Sequence, residues 1–426
     1  MSKRIIYQML PRLWGSGRFR DVDGRFLSYL RSLGVDYLYL TGIPRHASGK
    51  PFVKGDPGSP YSICDYYDTN PYLAVEPEAR MQEFAHLVRR IHRAGLKLLI
   101  DFVPNHVSCD YADAHGGIPT LPYCDYDWTD TRKIDYAHPR TLGRMSDVLK
   151  FWASEGVDGF RCDMVELVGA KNCGAMISAA RSAFPSLLFV AEVYDRQGYR
   201  AFAEAGFDLL YDKSGIYDIL RDIFTGRRGA DALTRNWQEL GSLQERMLNF
   251  LENHDEQRLC SAAYAGSPEK TFSLMAAASL FNRASLMLYA GQELGERASE
   301  AADGRSSIFN IVRPESLVDL YRFLHDGTLS PGKEVLLSRY REILSLASSP
   351  LGREGENWDL MYCNADSEGF DARRHFAFLR YDDSRCILVF CNFSDIPACV
   401  RVHVPVRAEG DYDLCISPWD YSVVEL

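Results

Sequence analysis

Residues 81–106 read MQEFAHLVRRIHRAGLKLLIDFVPNH, and this stretch decides the fold. Phe84, Leu87, Val88 and Ile91 fall three and four apart, which predicts a helix over 81–94 with one apolar face. Gly95 ends it, and 96–103 follows as a buried strand. The unit recurs downstream. A helix over 142–154 leads through Gly156 to a strand over 157–164, and a helix over 175–184 leads through Pro185 to a strand over 187–193. Upstream, the amphipathic segment 26–33 precedes a strand at 35–40. Further strand-like runs stand at 5–10, 207–211, 247–251 and 285–289. Eight strands alternating with helices predict an α/β fold, a closed (β/α)8 TIM barrel with a parallel sheet. A doubly wound sheet is the alternative, but no Gly-rich turn follows the first strand, and Gly15-Ser16-Gly17 is too short for a phosphate loop.

Two segments break the rhythm. Residues 107–140 form an irregular excursion with Gly116, Gly117, Pro119 and Pro122, and from 355 onward helices give way to alternating strands. The expected division is a barrel over 1–106 and 141–354, a short insertion over 107–140, and a C-terminal antiparallel β-sandwich domain over 355–426.

The 426 residues carry 48 Lys and Arg against 58 Asp and Glu, a net charge of −10. That balance argues against a nucleic-acid partner and against anionic membranes. No run approaches the roughly 18 apolar residues of a membrane helix, so no membrane insertion is expected. Residues 1–10 lack the long apolar segment and cleavage site of a leader. A cytoplasmic location is expected as written, and a periplasmic or secreted one if a leader is removed beforehand. Eleven cysteines, with no CxxC pair, read as reduced thiols. Cys109 and Cys124 flank Asp110, Asp113, His115, Asp125 and Asp127, but without a metal-ligand spacing, so a solvated loop is expected.

Polar residues cluster at the C-terminal strand ends, the face on which barrels build their sites. The third strand ends in Asp101-Phe102-Val103-Pro104-Asn105-His106, and the fourth contains Arg161-Cys162-Asp163. The fifth ends near Glu192, and the seventh in Asn253-His254-Asp255-Glu256-Gln257-Arg258. Arg161 and Asp163 are two apart and share a strand face, so Asp163 stays ionised beside the arginine, as a nucleophile needs. Glu192, across the pocket near negative charge, is expected to hold its proton as a general acid. Two such carboxyls suit retaining glycoside hydrolysis. Asp255 adds a third carboxylate for sugar hydroxyls, with His106 and His254 as neutral donors. Each residue alone reads as a strand-end salt bridge. Four clusters at strand ends do not, because burying so many carboxylates costs several kcal/mol.

The four clusters resemble the conserved regions of the α-amylase family, glycoside hydrolase family 13, in order. The resemblance implies Asp163 as nucleophile, Glu192 as acid/base and Asp255 as transition-state stabiliser. Asp101, His106, Arg161, His254 and Arg258 are implied as substrate-binding residues. The run Gly58 to Tyr66 resembles the loop whose tyrosine, here Tyr61, stacks on the sugar. Gln292 and Glu293 lie in a match to the family's eighth-strand end. A starch-like α-glucan or maltooligosaccharide substrate follows, with no further cofactor. Members often carry Lys-His three and four residues after the nucleophile, the histidine backbone helping to bind calcium; here Glu166 and Leu167 stand there. With only Asn105 left of that set, no calcium requirement is expected. Exo-acting members often have Asp where this chain has Gly58, which favours an endo-type or maltooligosaccharide-acting enzyme. Trp14, Trp128, Tyr194 and Trp237 are further aromatic candidates. A transglycosylase or glucosyl isomerase on the same site, and a non-catalytic glucan-binding member, are the competing readings. Oligomeric state is not legible.

Overall fold

The structure, a computed structural model, describes residues 2–426. Eight strands close a barrel in chain order: Ile5–Met9, Tyr37–Leu40, Lys97–Phe102, Gly159–Cys162, Leu188–Ala191, Leu209–Tyr211, Met247–Asn249 and Ser285–Tyr289. Every strand expected from the sequence is present. Most are shorter than their apolar runs, at one end or both. The register is parallel and aligns the chemistry-bearing residues, with Asp101 opposite Arg161 and Cys162 opposite Ala191. Glu192 then follows directly after the fifth strand.

The predicted helices over 81–94 and 142–154 are observed as Arg80–Arg93 and Thr141–Ser154. The first buries Phe84, Leu87, Val88 and Ile91, the face read from the sequence. Each buried Leu or Phe contributes about 1.5–3 kcal/mol. Gly95 and Gly156 terminate these helices at φ +75° and +94°, which disfavours any residue with a Cβ. The helix expected over 175–184 instead spans Ala170–Arg181. Gly174 looks like a breaker but lies inside it, where a Cβ would stand 3.2 Å from the Ala205 carbonyl. It serves close packing, not a turn.

The chain falls into two compact units. One comprises residues 6–211 and 307–328. In it the insertion leaves the third strand through a three-residue ladder, His106–Ser108 against Thr131–Lys133, with His106 opposite Lys133. The other comprises 1–5, 212–306 and 329–426. It carries a four-stranded antiparallel sheet, in the order Glu356–Asp359, His375–Tyr381, Cys386–Asn392 and Tyr421–Glu425. A separate hairpin pairs Ala398–Val404 with Gly410–Ile416. Arg380 is buried within this unit and donates to the carbonyls of Leu280, Asn282, Leu351, Gly352 and Gly355. A buried guanidinium with this many acceptors is a satisfied one.

The expectation of eleven reduced cysteines does not hold. Cys399 and Cys415 form a disulfide, directly opposite each other in the hairpin with Cα atoms 4.2 Å apart. Strand register brings them together, and a separation of 16 residues carries no sequence signal for it. Among the described residues no helix is long and apolar enough to cross a membrane.

Candidate active site

Arg161 organises the site in the first unit. Its strand position points it inward, and it is fully buried between the rings of Tyr61 and Tyr211, 5.5 and 5.6 Å from their centroids. One guanidinium nitrogen lies 2.8 Å from Asp163 Oδ1 and 3.3 Å from Asp101 Oδ1. The other makes an ion pair with Glu192 Oε1 at 2.6 Å. A single cation therefore joins three buried carboxyls from three consecutive strand ends. Burial alone pulls a guanidinium down, but Glu192 foremost, followed by Tyr61, Tyr39 and Tyr211, raises Arg161 well above its usual range. It is a permanent charge, and it makes burial of the carboxylates tolerable.

Asp101 also accepts from the Tyr39 hydroxyl at 2.5 Å and from the Tyr61 hydroxyl at 3.4 Å. It thereby touches both Tyr61 and Arg161. Tyr39 and Tyr211 escape sequence reading, since each reads as another aromatic in a buried strand. Barrel closure is what turns them inward.

Glu192 shares the Arg161 guanidinium with two other carboxyls, as an ion pair, and accepts from the Tyr194 hydroxyl at 2.7 Å and the Met164 amide at 2.7 Å. Met164 reaches it from a left-handed conformation, φ +42°, uncommon for a side chain of this bulk. Tyr194, an aromatic candidate on sequence grounds, touches the proposed acid/base instead of acting as a free platform. Glu166 Oε1 accepts from the amides of Tyr194 and Asp195 at 3.2 and 2.7 Å, and so fixes the loop that follows Glu192.

His106 is buried, and burial lowers its pKa to about 4, so the ring is neutral at pH 7. Trp128 packs 5.1 Å from it and Tyr126 4.9 Å from Trp128. Gly58, three residues before Tyr61, has φ +103°, and a Cβ there would stand 2.5 Å from the Ala47 carbonyl. No acidic side chain fits this position. Trp14 is core, its indole nitrogen donating to the Asp21 carbonyl at 2.8 Å.

In the second unit Asn253 Oδ1 caps the turn after the seventh strand, accepting from the amides of Asp255 and Glu256 at 2.9 Å each. That turn leaves Asp255 partly exposed beside buried His254, whose Nε2 lies 2.9 Å from Asp255 Oδ2. Arg258 is fully buried, with Glu252 at 2.7 Å, Ser306 Oγ at 2.7 Å, the Ala290 carbonyl at 3.0 Å and the Tyr289 ring at 3.8 Å. These partners engage its donors from all sides and make it a brace under the strand ends. Trp237, half-buried, donates to Gln244.

A calcium ion does not suit the residues that remain of the family's set. Asn105 donates its amide to Asp125 Oδ2 at 2.8 Å, and Lys133 Nζ lies 2.9 and 3.0 Å from both Asp125 oxygens. Partial burial works against the charge on Asp125, yet these hydrogen bonds hold its carboxyl below the usual range. An ammonium on the carboxylate occupies the lone pairs that a divalent ion needs. Among the described residues no three His, Cys, Asp or Glu gather to hold a metal.

Comparison with known proteins places the chain among α-amylase-like sequences and folds. The α-amylase catalytic-domain model matches residues 21–140. Alpha-amylase 2 of Dictyoglomus thermophilum is 22% identical over 355 residues, covering 72% of this chain and 57% of its own. A maltose-1-phosphate maltosyltransferase of Cereibacter sphaeroides is 30% identical over 225 residues, 45% of this chain and 32% of its own. An amino acid transporter heavy chain of Mus musculus is 27% identical over 266 residues, 51% and 35% of the two chains. The chain thus spans between a third and three-fifths of these curated relatives. Among solved structures, the maltogenic α-amylase AmyB of Thermotoga neapolitana superposes with a TM-score of 0.72 at 22% identity, covering 99% of this chain and 96% of its own. An α-amylase of Lactobacillus plantarum gives 0.74 at 20% identity, with 99% and 98% coverage. Residues 21–140 thus match the α-amylase catalytic-domain model, and the closed barrel shares its fold with the α-amylases of known structure.

Proposed function

We propose that the protein is a retaining glycoside hydrolase acting on α-glucosidic bonds of starch-like glucans or maltooligosaccharides. The observation that carries this reading is Arg161, one buried cation in contact with Asp163, Glu192 and Asp101. In the reading, an Asp163 carboxylate oxygen attacks the anomeric carbon while Glu192 delivers a proton to the departing glycosidic oxygen. The resulting ester is opened by a water whose proton returns to Glu192, and Asp163 leaves as carboxylate. The Arg161 ion pair, the Tyr194 hydroxyl and the Met164 amide hold the Glu192 carboxyl in place for both steps.

Tyr61 is the stacking ring, His106 and His254 the hydroxyl donors, and Asp255 the carboxylate that steadies positive charge on the sugar ring. Gly58, which has no room for a side chain, supports action within chains or on maltooligosaccharides over capture of a terminal sugar. No metal takes part.

The maltosyltransferase among the relatives favours one second reading, transfer of the glycosyl group to a sugar instead of water. The test is incubation with starch, pullulan, isomaltose, trehalose and maltoheptaose with product identification. Shorter maltooligosaccharides of retained α configuration support hydrolysis. Products longer than the substrate select transfer. No turnover of any α-glucan overturns both.

A further inference from the structure

We infer that Lys133 is the built-in cation at the root of the 107–140 insertion, where its ammonium group, in place of a metal ion, positions His106 beside the catalytic carboxylates. The part of the inference that concerns His106 rests on the proposed glucan reading; the part that concerns the cation does not.

Four observations meet at Lys133. Its ammonium grips both oxygens of Asp125, at 2.9 and 3.0 Å, so the contact is bidentate and directional. The same carboxylate accepts the Asn105 amide at 2.8 Å, and Asn105 is the residue before His106. In the ladder that closes the insertion Lys133 stands directly opposite His106. The Lys133 backbone is also tied on its other side, its amide to the Tyr123 carbonyl at 2.9 Å and its carbonyl to the Leu121 amide at 2.8 Å. The next residue, Ile134, donates its amide to the Asn105 carbonyl at 2.9 Å.

The insertion therefore leaves and re-enters the barrel at one charged knot. Asp125 is reached from the barrel side by Asn105 and from the returning strand by Lys133. Without the ammonium, Asp125 would keep a partly buried negative charge with one amide partner, an unfavourable arrangement. The loop would relax to expose it, and the ladder that holds His106 would loosen with it. Misplacing a binding group by about 1 Å costs up to roughly a hundredfold in turnover. Lys133 is accordingly a positioning residue. Lys54, whose Nζ donates to the Asp127 carbonyl at 3.0 Å, fastens the tip of the same loop and cannot stand in at the root.

The test compares the wild type with Lys133→Met and Lys133→Arg, each in EDTA and in excess calcium. Melting temperature is read first, then KM and kcat on maltoheptaose. The expectation is a wild-type melting temperature indifferent to either additive. Lys133→Met should melt at least about 2 °C lower. Its KM should rise roughly tenfold with a smaller change in kcat. Lys133→Arg, which keeps the charge and a bidentate reach, should recover most of both losses. The inference is overturned if calcium raises the wild-type melting temperature, if Lys133→Met behaves as wild type, or if Lys133→Arg is no better than Lys133→Met. The melting arm needs no substrate, so it judges the cation even if the proposed activity fails.

Discussion

At the scale of single residues, the site depends on what Arg161 permits. Three carboxyls share one permanent cation, and their roles separate by what else each touches. Glu192 has the Tyr194 hydroxyl and the Met164 amide, and two expectations follow. Glu192→Ala should abolish hydrolysis of starch yet retain part of the rate on an α-glucosyl fluoride, whose leaving group needs no proton, with azide restoring more. Equal loss on both substrates, with no azide effect, assigns the proton transfer elsewhere. Met164 is held at φ +42° so that its amide meets Glu192 Oε2. Met164→Gly should be tolerated, whereas Met164→Val, β-branched at positive φ, should cost about 1–3 kcal/mol in a denaturation experiment. The pairing of Arg161 with Asp163 was legible in the sequence, because residues two apart on a strand share a face. The left-handed Met164 was not, since no local pattern requires a methionine there.

At the scale of elements, the proposed substrate preference depends on the loops after the strands. The loop from 55 to 61 turns tightly at Gly58 and presents Tyr61. Gly58→Asp should not create a terminal-sugar clamp, because its Cβ would sit 2.5 Å from the Ala47 carbonyl. The expected result is a lower melting temperature and lost activity on every substrate. A gain of activity on maltose relative to maltoheptaose contradicts it. Helices with a continuous apolar face, such as Arg80–Arg93, were legible to within a residue. The helix Ala170–Arg181 was not, because Gly174 there answers to Ala205, a contact remote in sequence. The Cys399–Cys415 bond escaped for the same reason, since register and not spacing makes the pair.

At the scale of the whole molecule, stability should depend on pH through buried neutral histidines. His46 is fully buried, with Nδ1 3.1 Å from the Ala47 carbonyl and Nε2 2.7 Å from the Tyr72 hydroxyl. Burial, with Arg12 adding to it, lowers its pKa from 6.5 to about 3. As pH falls below about 6.5 the unfolded chain takes up this proton and the folded chain does not, so stability drops between those two values and levels off below. His46→Gln should flatten the slope of melting temperature against pH over that window, and an unchanged slope refutes the assignment. Eight apolar runs were enough to announce the barrel, and the four polar clusters at their ends announced the carboxylates. What stayed hidden were the bracing side chains Tyr39 and Tyr211, because an aromatic in a buried strand looks the same whether it fills space or aims a hydroxyl.

The central claim is that Asp163 becomes covalently bonded to the anomeric carbon. The direct measurement uses a fluorinated α-glucosyl fluoride that forms the glycosyl ester quickly and loses it slowly, followed by digestion and mass spectrometry. The account predicts one added fluoroglucosyl group on the peptide containing Asp163, none in Asp163→Asn, and products of retained configuration from natural substrate. A label on another residue, or products of inverted configuration, would contradict it.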